Sequence, residues 1–189
     1  MTSARRKATY EDLLKVPEPL VAEIIDGELV TSPRPASPHA LASSAIGSVL
    51  FHSFNRRAGD PDAPGGWWIL DEPELHLGED VLVPDLAGWR RERMPVFPDT
   101  AAFAQAPDWA CEVISTSTAR IDRGHKMRIY AREQVGHLWI VDPVGRTIEI
   151  YRLEDGRWIV AATHEGSGPL RAEPFDAVEL DTGRWWLES

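Results

Sequence analysis

The chain has 189 residues and a formal net charge of −10, and both properties limit what it can be. The length suits one domain with a substantial core, so we expect a single domain over residues 1–189. The acidic balance excludes a general nucleic-acid coat protein, whose affinity comes from neutralising phosphates. No apolar run approaches the roughly 20 residues that span a bilayer, and the single cysteine, Cys111, fits a reducing compartment. We therefore expect a soluble cytoplasmic protein without membrane contact.

The N-terminal part of the chain predicts local structure through its turn and cap residues. Thr9 lies three positions before Asp12, which is a relative of the helix capping box. Asp26-Gly27 favours a tight hairpin turn between two apolar arms. The predicted elements are a helix within residues 8–16, strands over 21–25 and 28–32, and a long helix opening near His39. The expected core face of that long helix comprises Leu41, Ala45, Val49, Leu50 and Phe54.

The middle and C-terminal parts predict mostly strands around one further helix. Pro73 and Pro84 each remove a backbone donor, so each must lie at an edge, a bulge or an interruption of its strand. Residues 90–107 are polar and rich in proline and arginine, which predicts a loop with at most one helical turn. The remaining predicted elements are strands in WWILDEPELHL, DVLVPDLAGW and DWACEVIS, a loop at TSTARID, a helix over 122–133, a meander of GHLWIVDP, RTIEIYRL and RWIVAATH, and a last edge strand in VELDTG.

Two carboxylates interrupt otherwise apolar strand faces. Side chains alternate along a strand, so Asp85 is expected on one face with Val81, Val83 and Ala87. Glu112 is likewise expected beside Ala110 and Ile114, opposite Trp109, Cys111 and Val113. Burying two ionised carboxylates is costly unless a cation or a proton compensates. A magnesium-type ion would compensate, because such ions prefer carboxylate oxygens.

Lys126 is unusual because this chain supplies positive charge almost wholly through arginine. There are seventeen arginines and three lysines, the other two being Lys7 and Lys15. A lysine is a compact donor whose pKa falls on desolvation, so it can position a water or help to deprotonate it. The helical face that carries Lys126 also carries Asp122, Arg123, Tyr130 and Glu133.

The order of these segments resembles the Uma-two family, which belongs to the PD-(D/E)XK nuclease superfamily. The resemblance runs from EIIDGELV and the helix near His39 through VPDLAGW, DWACEVIS, TSTARIDRGHKMRIY and HLWIVDP, and it covers residues 8 to 155. It implies an α+β, restriction-endonuclease-like core in which helices flank a mixed sheet, with an N-terminal hairpin and a C-terminal meander. The implied activity is metal-dependent hydrolysis of phosphodiester bonds in nucleic acid, as by a DNA endonuclease.

The resemblance also implies roles for individual residues. Asp85 and Glu112 match the motif acids that hold Mg²⁺ or Mn²⁺. The lysine that commonly follows the second acid by two positions is absent, since Ile114 stands there, and Lys126 takes its place as the third catalytic residue. Glu23 matches an N-terminal acid in a supporting role. His39 either faces the site in support or serves only the start of its helix.

The chain departs from the family pattern at two positions. Thr116 replaces a proline, which predicts a looser loop, and Gln134 replaces a glycine, which predicts a different helix end. Candidate nucleic-acid-binding residues are Arg90, Arg91, Arg93, Arg120 and Arg123. A homodimer is expected from the resemblance, because an enzyme that cuts both strands gains from twofold symmetry.

Structural alternatives stand beside each of these assignments. Asp85 alone would suit a hairpin end, and Glu112 alone would suit a core ion pair. Capping, solvation and packing explain Asp122, Arg123 and Tyr130. The six histidines lack ligand spacing for zinc, and the eight tryptophans are expected in the core or in an interface. The alternative functions are a non-catalytic nuclease-fold module that binds DNA or a partner protein, and a self-associating β-rich domain.

Overall fold

The computed structural model describes residues 6–59 and 63–187. Its helices are α1 (Tyr10–Leu13), α2 (Ser37–Phe54), α3 (Ala119–Ile121) and α4 (Met127–Arg132), with a π-helical turn at Asp122–Lys126 and a 3₁₀ turn at Thr182–Arg184. Its strands are β1 (Leu20–Ile25), β2 (Glu28–Pro33), β3 (Trp67–Asp71), β4 (Glu74–Leu77), β5 (Asp80–Leu82), β6 (Leu86–Arg90), β7 (Ala102–Phe103), β8 (Trp109–Val113), β9 (His137–Asp142), β10 (Thr147–Glu154), β11 (Arg157–Glu165), β12 (Pro169–Leu170) and β13 (Leu180–Asp181).

The strands form two larger sheets and a small one. One larger sheet has the order β2-β1-β5-β4-β7 and the other has the order β11-β10-β9-β8-β6-β3, while β12 pairs with β13. The six-stranded sheet is mixed, because β8 and β9 are parallel and its other pairs are antiparallel. The connection from β8 to β9 runs through α3, the π-helical turn and α4. The predicted N-terminal hairpin and C-terminal meander are both confirmed.

Both long strands that contain a proline are broken, and each break carries the chain from one sheet to the other. β3 and β6 belong to the six-stranded sheet, whereas β4 and β5 belong to the five-stranded sheet. The first break falls at Glu72-Pro73 and the second at residues 83–85, around Pro84. The Glu72 backbone N–H donates to the Asp85 carbonyl over 3.0 Å, which ties the two breaks together. The expected interruption at each proline is therefore confirmed.

The six-stranded sheet buries both of its faces. One face packs against α2 and the C-terminal segment, in a cluster that contains Trp109, Trp139 and Phe175. The other face packs against α4, in a second cluster that contains Ala110, Ile114 and Tyr130. The predicted alternation along β8 is thus confirmed, and six of the eight tryptophans are buried in these cores.

The predicted core face of α2 is confirmed at Leu50 and Phe54, Ala45 and Val49 are partly buried against the core, and the prediction was wrong only at Leu41. The buried residues are Ala42, Ile46, Leu50 and Phe54, while Leu41 is 36% exposed. The helix approaches β3 and β6 closely at Gly47, where a Cβ would lie 2.7 Å from Asp71 Oδ1 and 3.0 Å from Leu86 Cδ2.

The helical segment after β8 differs from the prediction at both ends. It begins at Ala119 rather than at Asp122, and it passes through a π-helical turn before α4. At its C-terminal end Gln134 adopts a φ of 60°. Val135 N–H donates to the Tyr130 carbonyl and Gln134 N–H to the Ala131 carbonyl, the pattern that a glycine usually completes. The expectation of a different helix end was therefore wrong, because Gln134 takes the glycine conformation.

Three further features complete the fold. The capping box of Thr9 and Asp12 is present at α1, as the sequence predicted. Residues 90–107 contain turns and the two-residue strand β7, so the loop prediction holds for most of that segment. Within the ranges 6–59 and 63–187, no helix combines the length and the apolar character needed to cross a membrane.

Candidate active site

A cavity of about 240 Å³ opens where the two larger sheets meet. The end of β2, the first turn of α2 and both strand breaks contribute to its wall, as do the end of β8 and the π-helical turn. Five carboxylates line it, namely Glu23, Glu72, Asp85, Glu112 and Asp122, together with three basic residues, Arg34, His39 and Lys126. The fold thus gathers the predicted catalytic and supporting residues from separate segments, and it adds others.

Asp85 lies within a strand break and not on a regular strand face. Its Oδ2 accepts a hydrogen bond from Val113 N–H over 2.7 Å, so the carboxylate spans the gap to β8. Its Oδ1 lies 3.0 Å from His39 Nε2. The expected apolar row of Val81, Val83 and Ala87 was therefore wrong, because the chain changes sheets at Pro84.

His39 enters the cavity from the first turn of α2. Burial disfavours its protonation, but the Asp85 carboxylate outweighs burial and raises the pKa of His39 above the usual value. Its Nδ1 is buried, and no residue in the described parts of the chain bonds to it. The imidazole therefore uses Nε2 to hold Asp85, and of the two roles considered the one facing the cavity agrees with this geometry.

Glu112 is buried to 2% exposure at the end of β8. Its Oε1 accepts a hydrogen bond from the Tyr130 hydroxyl over 2.5 Å, and its Oε2 lies 3.2 Å from Lys126 Nζ. Burial raises the pKa of Glu112 well above its ordinary value, and the neighbouring carboxylates add to this effect while Lys126 opposes it. The surroundings of this carboxyl group therefore favour its neutral form.

Lys126 lies on the π-helical turn, and its ammonium group contacts three carboxylates. Its Nζ lies 2.8 Å from Glu23 Oε1, 3.2 Å from Glu112 Oε2 and 3.5 Å from Asp122 Oδ1. Burial lowers the pKa of Lys126, but the three acids outweigh burial and hold that pKa well above the ordinary value. The ammonium group stays protonated, so it acts as a hydrogen-bond donor and not as the base that desolvation alone would favour.

Three further residues hold these groups in place. Glu23 accepts a hydrogen bond from Val83 N–H over 2.8 Å, which links β1 to the second strand break. Asp122 is 3% exposed, and burial raises its pKa. Capping and packing had explained Asp122 and Tyr130 adequately in the sequence, yet both contact the central ion cluster. Their spacing of four residues on either side of Lys126 was the signal that could have identified them.

The donor set fits a hard divalent cation but not a closed metal cage. Within the described part of the chain, no group of three or more His, Cys, Asp or Glu side chains is arranged to hold a metal ion. Magnesium-type ions are commonly bound through one or two carboxylates, with water and substrate in the other positions. Asp85 and Glu112 supply two carboxylates that line the cavity.

The arginines proposed from the sequence do not line this cavity. Arg90 and Arg91 lie at the opposite end of β6 from Asp85, over the rings of Trp67 and Trp68. Arg93 pairs with Asp108 over 2.6 Å, and Arg123 pairs with Glu149 over 2.5 Å. Arg120 is exposed on α3, directly after the cavity wall.

The loop after Glu112 is held by its own hydroxyl groups. Ser115 N–H donates to Thr118 Oγ1 and Thr118 N–H donates to Ser115 Oγ, over 3.1 and 3.2 Å. Thr116 is exposed between them. These reciprocal bonds order the loop, although Thr116 stands where the family pattern has a proline.

Comparison with known proteins agrees with the fold. A solved structure described as a putative nuclease belonging to DUF820 from Anabaena variabilis is similar over 95% of this chain and 97% of its own, with 21% sequence identity and a TM-score of 0.72. The architecture is a mixed α+β fold of the restriction-endonuclease-like class. The family model Uma2, described as "Putative restriction endonuclease", matches residues 8–183. The chain belongs to the Uma2 family, and no curated protein matches it.

Proposed function

We propose that this protein is a metal-dependent endonuclease that hydrolyses phosphodiester bonds, with DNA as its substrate. One observation carries the proposal. Lys126 Nζ lies 3.2 Å from Glu112 Oε2, in the cavity that Asp85 also lines. Membership of a family described as a putative restriction endonuclease supports a nucleic-acid substrate. The proposed site residues are therefore Asp85, Glu112 and Lys126, with Glu23 and His39 in support.

Asp85 and Glu112 would hold Mg²⁺ or Mn²⁺, which supplies a bound water of lowered pKa and neutralises charge on the phosphate. The protein's own residues prepare this site. Lys126 would orient the attacking water through a hydrogen bond from its ammonium group, which its three acidic neighbours keep protonated. His39 and Val113 N–H fix the two oxygens of Asp85, and Tyr130 fixes one oxygen of Glu112. These bonds hold both carboxylates in fixed positions, which prepares them to bind the ion.

The proposal is tested by replacing the acids and following cleavage of supercoiled plasmid DNA. Asp85→Asn and Glu112→Gln keep the shape of each side chain and remove its charge, and we expect both to abolish cleavage in Mg²⁺ or Mn²⁺. Circular dichroism should show both variants folded. Cleavage by either variant at the wild-type rate would show that the site is wrongly assigned.

The competing function is a non-catalytic module of the same fold, and calorimetry separates it from the enzyme. The observation that favours this module is that Lys126 already pairs with three acids, so its ion cluster is partly neutralised without a metal. Titration with Mn²⁺ should give binding to the wild type and loss of binding in Glu112→Gln. A wild-type protein without affinity at millimolar Mn²⁺ would favour the module. We also propose that the protein is cytoplasmic and forms a homodimer, and analytical ultracentrifugation tests the homodimer.

A further inference from the structure

The side chains that line the cavity include more acids than bases, which opposes the binding of a phosphodiester substrate. Five carboxylates line it against three basic groups, and the substrate brings further negative charge. Lys126 is 5% exposed and pairs with three acids, while His39 is 12% exposed and pairs with Asp85. Neither group faces an approaching phosphate from solvent. The remaining basic residue of the cavity wall is Arg34, and its side chain is 56% exposed.

We infer that Arg34 is the residue that receives the substrate phosphate at the mouth of the cavity. A guanidinium group is always charged and presents paired donors that match two phosphate oxygens. The assignment rests on the proposed function, and it adds a substrate-binding residue that neither the motif acids nor the predicted arginines include.

The present partners of Arg34 are weak enough to be exchanged. Its Nη1 lies 3.5 Å from Glu72 Oε2, and its Nη2 donates to the Glu18 carbonyl over 3.4 Å. Charge-assisted hydrogen bonds are usually about 2.7–2.9 Å long, so both contacts are loose. Glu72 itself is 44% exposed, so water screens this ion pair. A phosphate can therefore replace Glu72 at little cost.

The backbone around Arg34 is rigid although its side chain is exposed. Arg34 stands between Pro33 and Pro35, directly after β2. Proline fixes its own φ, and it restricts the preceding residue to extended conformations. The guanidinium group is therefore directed from a stiff support, which reduces the entropy lost when a phosphate binds.

Glu72 is the natural competitor for Arg34, and its place in the fold is well defined. It has a φ of 44°, and its backbone N–H bonds to the Asp85 carbonyl. Glu72 thus lies at the first strand break, which is hydrogen-bonded to the second break at Asp85. Removing its charge should free Arg34 and weaken the repulsion of the substrate at the same time.

The experiment measures binding of a fluorescein-labelled DNA duplex by anisotropy in EDTA, where no cleavage occurs. Arg34→Ala should weaken binding by about tenfold. It should also reduce the slope of log affinity against log salt by about 0.9, the value for one lost phosphate contact. Arg34→Lys should recover only part of the affinity. Glu72→Gln should tighten binding by about twofold to fivefold.

Arg171→Ala is the matched control. Arg171 is 55% exposed, lies 3.7 Å from the Glu179 carboxylate and donates to the Asp176 carbonyl, but it does not line the cavity. Its replacement removes the same charge and should leave binding within about twofold of the wild type. In cleavage assays Arg34→Ala should raise KM and leave kcat nearly unchanged.

Two outcomes overturn the inference, and they are distinguishable. If the wild type cleaves DNA while Arg34→Ala binds as tightly as Arg171→Ala, Arg34 is not the phosphate-binding residue and the proposed function stands. If the wild type neither binds nor cleaves DNA, the proposed function fails and the assignment of Arg34 fails with it.

Discussion

Lys126 Nζ lies 2.8 Å from Glu23 Oε1, and this ion pair joins the helical crossover to the N-terminal hairpin. Both side chains are almost fully buried, at 5% and 7% exposure. Glu23 belongs to the five-stranded sheet and Glu112, the second partner of Lys126, belongs to the six-stranded sheet. One ammonium group therefore neutralises acids from both sheets at the place where they meet.

Replacement of Lys126 by methionine should destabilise the fold strongly. The variant keeps the length of the side chain but leaves Glu23, Glu112 and Asp122 buried without their cation. Breaking a buried ion pair on one side typically costs about 3–5 kcal/mol. Urea unfolding should show a loss of that order, and Lys126→Met combined with Glu23→Gln should lose less because one buried charge is removed.

Lys15→Met provides the control for that measurement. Lys15 is 73% exposed and lies 3.9 Å from Asp12, so its removal should change the free energy of unfolding by no more than about 0.5 kcal/mol. Equal stability of Lys126→Met and Lys15→Met would mean that the buried ion cluster does not hold the sheets together.

Local sequence rules were sufficient for several parts of the fold. The Asp26-Gly27 turn and the alternation along β8 each depend on a few neighbouring residues, and both were predicted correctly. The two prolines predicted interruptions, which the structure contains. The segments that carry Asp85, Glu112 and Lys126 could be singled out for the same reason, since each residue contradicts its own local pattern.

These local rules could not predict which residues from distant parts of the sequence meet in the fold. Nothing local at Pro84 states that the chain changes sheets there, so Asp85 was placed on a continuous strand face. The partners of Lys126 come from positions 23, 112 and 122, which only the folded topology brings together. Arg34 was overlooked because the proline-rich connector has no periodicity, and the arginines chosen instead were near the motif in sequence but do not line the cavity.

Gln134→Gly should stabilise the protein by about 0.5 kcal/mol. Gln134 is exposed and has a φ of 60°, a conformation that costs about 1–2 kcal/mol for residues other than glycine. Glycine removes that cost, although it gives back about 0.5–1 kcal/mol through the greater freedom of the unfolded chain. Glu133→Gly, at a φ of −85°, gains no such relief and should destabilise. Denaturant unfolding of both variants checks the prediction, and a destabilised Gln134→Gly would contradict it.

Cys111 should be inert in the native protein. Its side chain is fully buried in β8, and burial raises the pKa of the thiol well above the ordinary value, with Asp85 and Glu112 adding to the effect. The reactive thiolate is therefore scarce and inaccessible. A chromogenic disulfide reagent at pH 8 should label no thiol in the folded protein and one thiol per chain in urea. Rapid labelling without urea would show that β8 is less protected than its burial indicates.

The tyrosines should ionise only at high pH while the protein stays folded. Burial and the hydrogen bond to Glu149 raise the pKa of Tyr151 to about 12, and the pKa values of Tyr10 and Tyr130, the other two tyrosines, are also raised. A raised folded-state pKa favours the neutral phenol, so its contribution to stability is complete below about pH 10 and is lost as the pH rises from about 10 to 12. Tyrosinate absorbance of the native protein should therefore appear later than that of the urea-unfolded chain. Tyr151→Phe should leave the native titration below about pH 11 unchanged, and a native component near pH 10 that disappears in this variant would contradict the assignment.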